Sequence, residues 1–164
     1  MMLVAPTGAS APAVYWHADG VSEDSRRIKA MARRLSGDSR REPASFAWRT
    51  SLLDDLSEII RTCSGAGWDG YDAEPVLPES AICAALLVEL LPEGIEVPHI
   101  LPEPNGDVVL EWLGDDKHFT LSLSGRSVIY AGILGAVKKY GEEPFWDELP
   151  QTGLEILSSY FAKA

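Results

Sequence analysis

The sequence predicts an α+β domain in which two or three helices pack on one face of an antiparallel β-meander of three to four strands. Three observations carry that expectation. Apolar residues recur at helical spacing up to Leu91, and from Val97 onward they alternate with polar ones. Helical and extended segments are segregated along the chain, the pattern of a sheet covered by helices rather than of βαβ units. Turn residues, above all Pro104-Asn105-Gly106-Asp107, punctuate the extended half.

Residues 1–21, rich in Ala, Pro, Ser and Gly, read as a lead-in without regular period. Ser22 to Leu35 follows as a short basic amphipathic helix, with Ile28, Met31, Ala32 and Leu35 on one side. A polar linker, Ser36 to Pro43, sets the boundary between a flexible N-terminal segment (residues 1–43) and a single α+β domain (residues 44–164). The most regular helix is expected over Ala44 to Cys63, where Leu52, Leu56, Ile59, Ile60 and Cys63 form a stripe. Gly65 and its neighbours end it. Pro78 suits the first turn of the next helix, which runs to Leu91 and is apolar on most sides, so it should be central.

Val97 to Leu101, flanked by Pro98 and Pro102, suits an edge strand. Asp107 to Leu113 should turn Val108, Leu110 and Trp112 inward. His118 to Ser124 should do the same with Phe119, Leu121 and Leu123. Ser127 to Ile133 is expected as the last strand, and Glu142-Glu143-Pro144 as a short turn. Thr152 is expected to cap a closing helix whose apolar side includes Leu154, Leu157 and Phe161.

The 164-residue chain can bury its own core, since about 150 residues bury roughly 68–70% of their unfolded surface. Neither a disulfide nor a metal is needed, and Cys63 and Cys83 read as buried free thiols. No run approaches the ~18 apolar residues of a membrane span. The apolar start, Met1 to Ala5, lacks a preceding basic region and is followed by Pro6 and Gly8, so a cytoplasmic location is expected. Charge is uneven. Residues 1–50 hold 8 Lys/Arg against 5 Asp/Glu, or +3, and residues 51–164 hold 6 against 20, or −14. The acidic part repels phosphate backbones, which argues against nucleic acid as its ligand and favours a basic protein partner.

The densest mixture of rings, carboxylates and turn residues is the connector Trp68-Asp69-Gly70-Tyr71-Asp72-Ala73-Glu74-Pro75. Together with Pro102-x-Pro104-x-Gly106-x-Val108-x-Leu110-Glu111-Trp112, it resembles a family of small uncharacterised bacterial proteins. These carry a W-D-G-Y/E-G-A-x-P segment before an apolar helix and a P-x-P-x-G-x-I-x-L-E-W hairpin after it. The resemblance covers roughly Leu52 to Tyr130, departs from the pattern at Asp72, where glycine is usual, and implies no reaction.

Trp68, Asp69, Tyr71, Asp72, Glu74 and Glu111 are the candidate partner- or ligand-binding residues. The connector nevertheless reads first as a joint, with Trp68 plugging the core and Asp69 accepting backbone hydrogen bonds, and second as a functional surface. The carboxylate spacing does not match a calcium loop, and three scattered histidines do not build a metal site, so neither metal nor cofactor is expected. Glu111 and His118 should meet across a hairpin as a cross-strand pair. The chain carries no Gly-rich phosphate loop, H-E-x-x-H, G-x-S-x-G or C-x-x-C. The leading expectation is an acidic, non-enzymatic interaction module that serves as a neutralising or accessory subunit for a basic partner. A small hydrolase or carbohydrate-binding protein using Trp68–Glu74 is one alternative. A homodimer formed through the Pro98–Leu101 edge is another.

Overall fold

The computed structural model describes residues 43–146 and 149–163. The helix expected over Ser22–Leu35 and the flexible segment expected over residues 1–43, Pro43 apart, lie outside the described residues.

Helix α1 (Pro43–Thr62) buries Leu52 and Leu56, with Trp48, Leu53 and Ile59 half-buried against the same core. Its other side, with Asp54, Asp55, Glu58 and Arg61, is exposed, and Glu58 and Arg61 pair within one turn. Helix α2 (Pro78–Leu90) starts on a proline whose missing N–H costs nothing at that position. It is buried over Ala81, Cys83, Ala84, Leu87 and Val88. Complete burial of a side chain such as Leu87 is worth about 1.5–3 kcal/mol.

Five strands follow: β1 (His99–Pro102), β2 (Val108–Leu113), β3 (Lys117–Ser124), β4 (Ser127–Leu134) and β5 (Val137–Pro144). They pair in chain order, each antiparallel to the next. Val108, Leu110, Trp112, Phe119, Leu121, Leu123 and Val128 line the inner face and join the helices in one core. The Trp112, Phe119 and Phe161 rings lie 6.3–6.4 Å apart at its centre.

The sheet thus has one strand more than expected, and Ser127–Leu134 is not the last. Residues 142–144, expected as a turn, complete β5. The reason is physical. As an edge strand, β5 is exposed or half-exposed throughout, so it carries no apolar alternation to betray it. It is specified by the two-residue turn Gly135-Ala136, in which Gly135 takes φ +61°, and by its register with β4.

Helix α3 (Gln151–Tyr160) follows, but Thr152 does not cap it. Glu143 on β5 does so from a distance, its two carboxylate oxygens accepting from Thr152 N and Gly153 N at 3.0 Å each. Two other helix ends are closed in the same way. Arg49 on α1 is only 2% exposed and donates to the Val88 and Leu91 carbonyls at the end of α2, at 3.3 and 2.7 Å. Lys117 Nζ donates to Tyr160 O at 2.8 Å at the end of α3. Cations at carbonyl ends and a carboxylate at an amide end match the polarity of the helix dipole.

Candidate functional site

The connector between α1 and α2 is tied mostly to itself. Gly67 N donates to Ala73 O at 2.7 Å, and Gly70 N donates to Gly67 O at 3.0 Å. Asp69 Oδ1 accepts from Tyr71 N at 2.9 Å and Ala73 N at 3.3 Å, the short-range bonding that favours aspartate in turns. The Trp68 indole donates to Glu74 O at 2.8 Å. The ring of Trp68 is half-buried and lies outside the main core, so it is not the plug expected of it. Ala73, 1% exposed, is the residue that turns inward.

Three further bonds fix the connector to the body. Val76 N donates to Cys63 O at 3.0 Å, Glu74 N to Pro104 O at 2.8 Å, and Leu77 N to Gly106 O at 2.8 Å. Gly106, at φ +86°, is indispensable to this contact, because a Cβ there would lie 2.7 Å from Pro75 O. The Glu74–Leu77 end of the connector and the P-x-P-x-G turn are therefore two halves of one joint. Beneath it, Asp107 is 3% exposed. Its carboxylate accepts from Asn105 Nδ2 at 2.8 Å and from Ser80 Oγ at 3.4 Å, and Ser80 Oγ accepts from Gly125 N at 3.1 Å. The start of α2 is thereby linked to the β1–β2 and β3–β4 turns.

What remains for a partner is what points outward. Tyr71 is 86% exposed, and Asp72 and Glu74, which follow it, are exposed too. Of the six candidate residues, Trp68, Asp69, Tyr71, Asp72 and Glu74 share this loop. Glu111 stands on the outer face of β2, where its Oε1 meets His118 Nε2 at 2.7 Å.

Three cross-strand rows of that outer face surround the pair. They are His99, Glu111, Thr120, Ala131 and Tyr140; Leu101, Val109, Ser122, Ile129 and Glu142; and Leu113, His118, Ile133 and Lys138. Leu101, Leu113, Ile129, Ile133 and Tyr140 are exposed there. Glu111 and His118 form a diagonal pair on this face, and His118 lines the rim of a wide, open groove of about 340 Å³ that continues over Thr120, Ile133, Lys138 and Tyr140.

Among the described residues, no three His, Cys, Asp or Glu side chains are grouped to hold a metal, and no helix is long and apolar enough to cross a membrane. Cys63 and Cys83 are free and buried. Burial pushes the Cys83 thiol up to about 11, against the pull of Arg126, and its Sγ lies 3.3 Å from Gly125 O as a donor. A thiol held neutral in this way is a packing group rather than a nucleophile.

Arg49, Asp107 and Glu143 are not among the predicted site residues, yet Asp107 ties the start of α2 to the β1–β2 turn beside the loop, Arg49 closes the far end of α2 and Glu143 caps α3. Arg49 could have been found, since it lies three residues before Leu52 on the apolar stripe of α1. Asp107 and Glu143 carry no such local mark. No family model, no curated protein and no solved structure matches the chain.

Proposed function

We propose that the chain is a non-enzymatic acidic interaction module, an accessory or neutralising subunit that engages a basic protein through the Trp68–Glu74 loop. The observation that carries this reading is the fixed display of Tyr71, 86% exposed, between acidic neighbours on a loop held by its own backbone bonds. A preformed loop has little conformational freedom left to lose on binding. Tyrosine is among the residues that most often anchor interfaces. The −14 charge of residues 51–164 adds long-range attraction for a basic surface and speeds encounter. Carbohydrate binding on the same loop is less well served, because the Trp68 indole N–H and Asp69 Oδ1 are already committed to the loop's backbone.

The test places a photo-crosslinking residue at Tyr71 and, as a control, at Glu155 on α3, in cells of the native host. A basic protein captured from position 71 alone, and lost when Asp72→Lys and Glu74→Lys are added, is the expected result. Equal capture from both positions, or capture that ignores the charge reversal, would overturn the proposal.

A further inference from the structure

The sheet ends on β5, and among the described residues nothing pairs with its outer edge. Phe145 N donates to Arg126 O at 2.9 Å, extending the β4–β5 ladder by one bonded pair. In an antiparallel ladder, bonded and non-bonded pairs alternate. Glu143, Gly141, Lys139 and Val137 therefore direct their N–H and C=O groups to β4, and Glu142, Tyr140 and Lys138 direct theirs away from it. The closure of the hairpin on Leu134 and Val137 around a two-residue turn agrees with this alternation.

We infer that this edge pairs with the same edge of a second copy of the chain, antiparallel, with Tyr140 opposite Tyr140. The sequence of β5 is self-complementary about that residue. Lys138 and Glu142, both on the outer face, stand two positions to either side of Tyr140. A two-fold axis through Tyr140 therefore sets each Lys138 against Glu142 of the other copy, and the residues brought together are those whose backbone groups are free.

The neighbouring registers are worse. A shift of one residue sets outer-face positions against inner-face ones. A shift of two in one direction places Lys138 opposite Pro144, which has no N–H to give. A shift of two in the other direction leaves Glu142 opposite Ala136, outside the strand.

Charge also selects this edge over the opposite one. Two copies whose residues 51–164 each carry −14 repel in most orientations, whereas Lys138, Lys139, Glu142 and Glu143 cancel within β5. β1 offers only four residues, ends on Pro102 and has α1 beside it, where Trp48, Ser51 and Asp55 flank Val97 and His99 across a groove. Lysines on an edge strand ordinarily discourage the addition of foreign strands. In this register one of them meets a carboxylate, so the edge that rejects other strands accepts its own copy.

Sedimentation velocity of the full chain tests the inference, and an edge contact this small predicts a reversible dimer with Kd on the order of 10–100 µM. Lys138→Glu and Glu142→Lys each set like charges opposite one another twice, and each should raise Kd by roughly tenfold. The double variant K138E/E142K restores opposite charges and should return Kd to within about threefold of the parent. Circular dichroism of the variants should be unchanged, since both side chains are exposed and the bond lost, from Ser127 Oγ to Glu142 Oε1, is itself at the surface. A chain that stays monomeric to about 1 mM, well above that range, would overturn the inference. So would a dimer indifferent to either single variant, or a double variant no better than the singles.

Discussion

At one end of the sheet, the turns at residues 103–107 and 124–127 are pressed against α2 and the 67–78 connector. At the other end, the turns at 114–117 and 134–137 stand largely in solvent. The closed end is held by the Ser80–Asp107 network and by the bonds to Pro104 O and Gly106 O. At the open end, the bond between the turns among the described residues is Gly135 N to Asp116 O, at 2.9 Å, and Lys117 reaches the end of α3. The same kind of tight, glycine-containing turn thus serves two purposes. At the closed end it is a docking point for the connector. At the open end it only reverses the chain and leaves the next strand available.

The glycines at the two ends offer the sharpest contrast. Gly106→Val combines a positive φ with a collision against Pro75 O, and should lower stability by about 3 kcal/mol. Gly135→Ala meets no close backbone and should cost only about 1 kcal/mol. Denaturant titration of both variants checks this, and equal losses would erase the distinction between the ends. Arg49→Met leaves the terminal carbonyls of α2 without their donor and breaks the contact with Glu93, 3.0 Å away. It should cost about 2–3 kcal/mol in the same assay.

The Cys83 thiol, at the closed end, gives a pH signature. Its folded value of about 11 lies above the ordinary 9.0. The unfolded thiol therefore releases its proton first as pH rises, and the folded state loses stability from pH 9 toward 11. The stability advantage of the parent over Cys83→Ala should shrink by about 2 kcal/mol across that window. Glu143→Ala, which removes the cap of α3, should cost about 1 kcal/mol. Glu111→Gln on the open face should cost less than about 0.5 kcal/mol, because its partner is half in water.

The contrast between the ends also marks what could be read from the sequence. Phe119, Leu121 and Leu123 announce β3, and Leu52, Leu56 and Ile59 announce α1, because each set serves one buried face. β5 escaped because it buries too little to leave a pattern. Pairing with β4 and the Gly135 turn specify it, and pairing is a long-range property. The connector was readable as a joint from Gly70, Pro75 and Pro78. Its counterpart in the Pro104–Gly106 turn was not, since nothing local in either stretch states that they touch. Residue type alone points Trp68 to the core, whereas Asp69 and Gly67 fold the loop so that Ala73 faces inward instead. Asp107 and Glu143 look like ordinary surface charges until the fold places amides and hydroxyls around them.

Native-state hydrogen exchange, followed residue by residue in dilute protein, tests the closed and open ends in one experiment. The amides of Glu74 and Leu77, bonded to Pro104 O and Gly106 O, should exchange slowly, with protection approaching that of the α2 core. The amides of Lys138 and Tyr140 should exchange close to the rate of an unstructured chain. If Glu74 and Leu77 exchange as fast as Lys138 and Tyr140, the connector is not docked on the hairpin and the account of the joint fails.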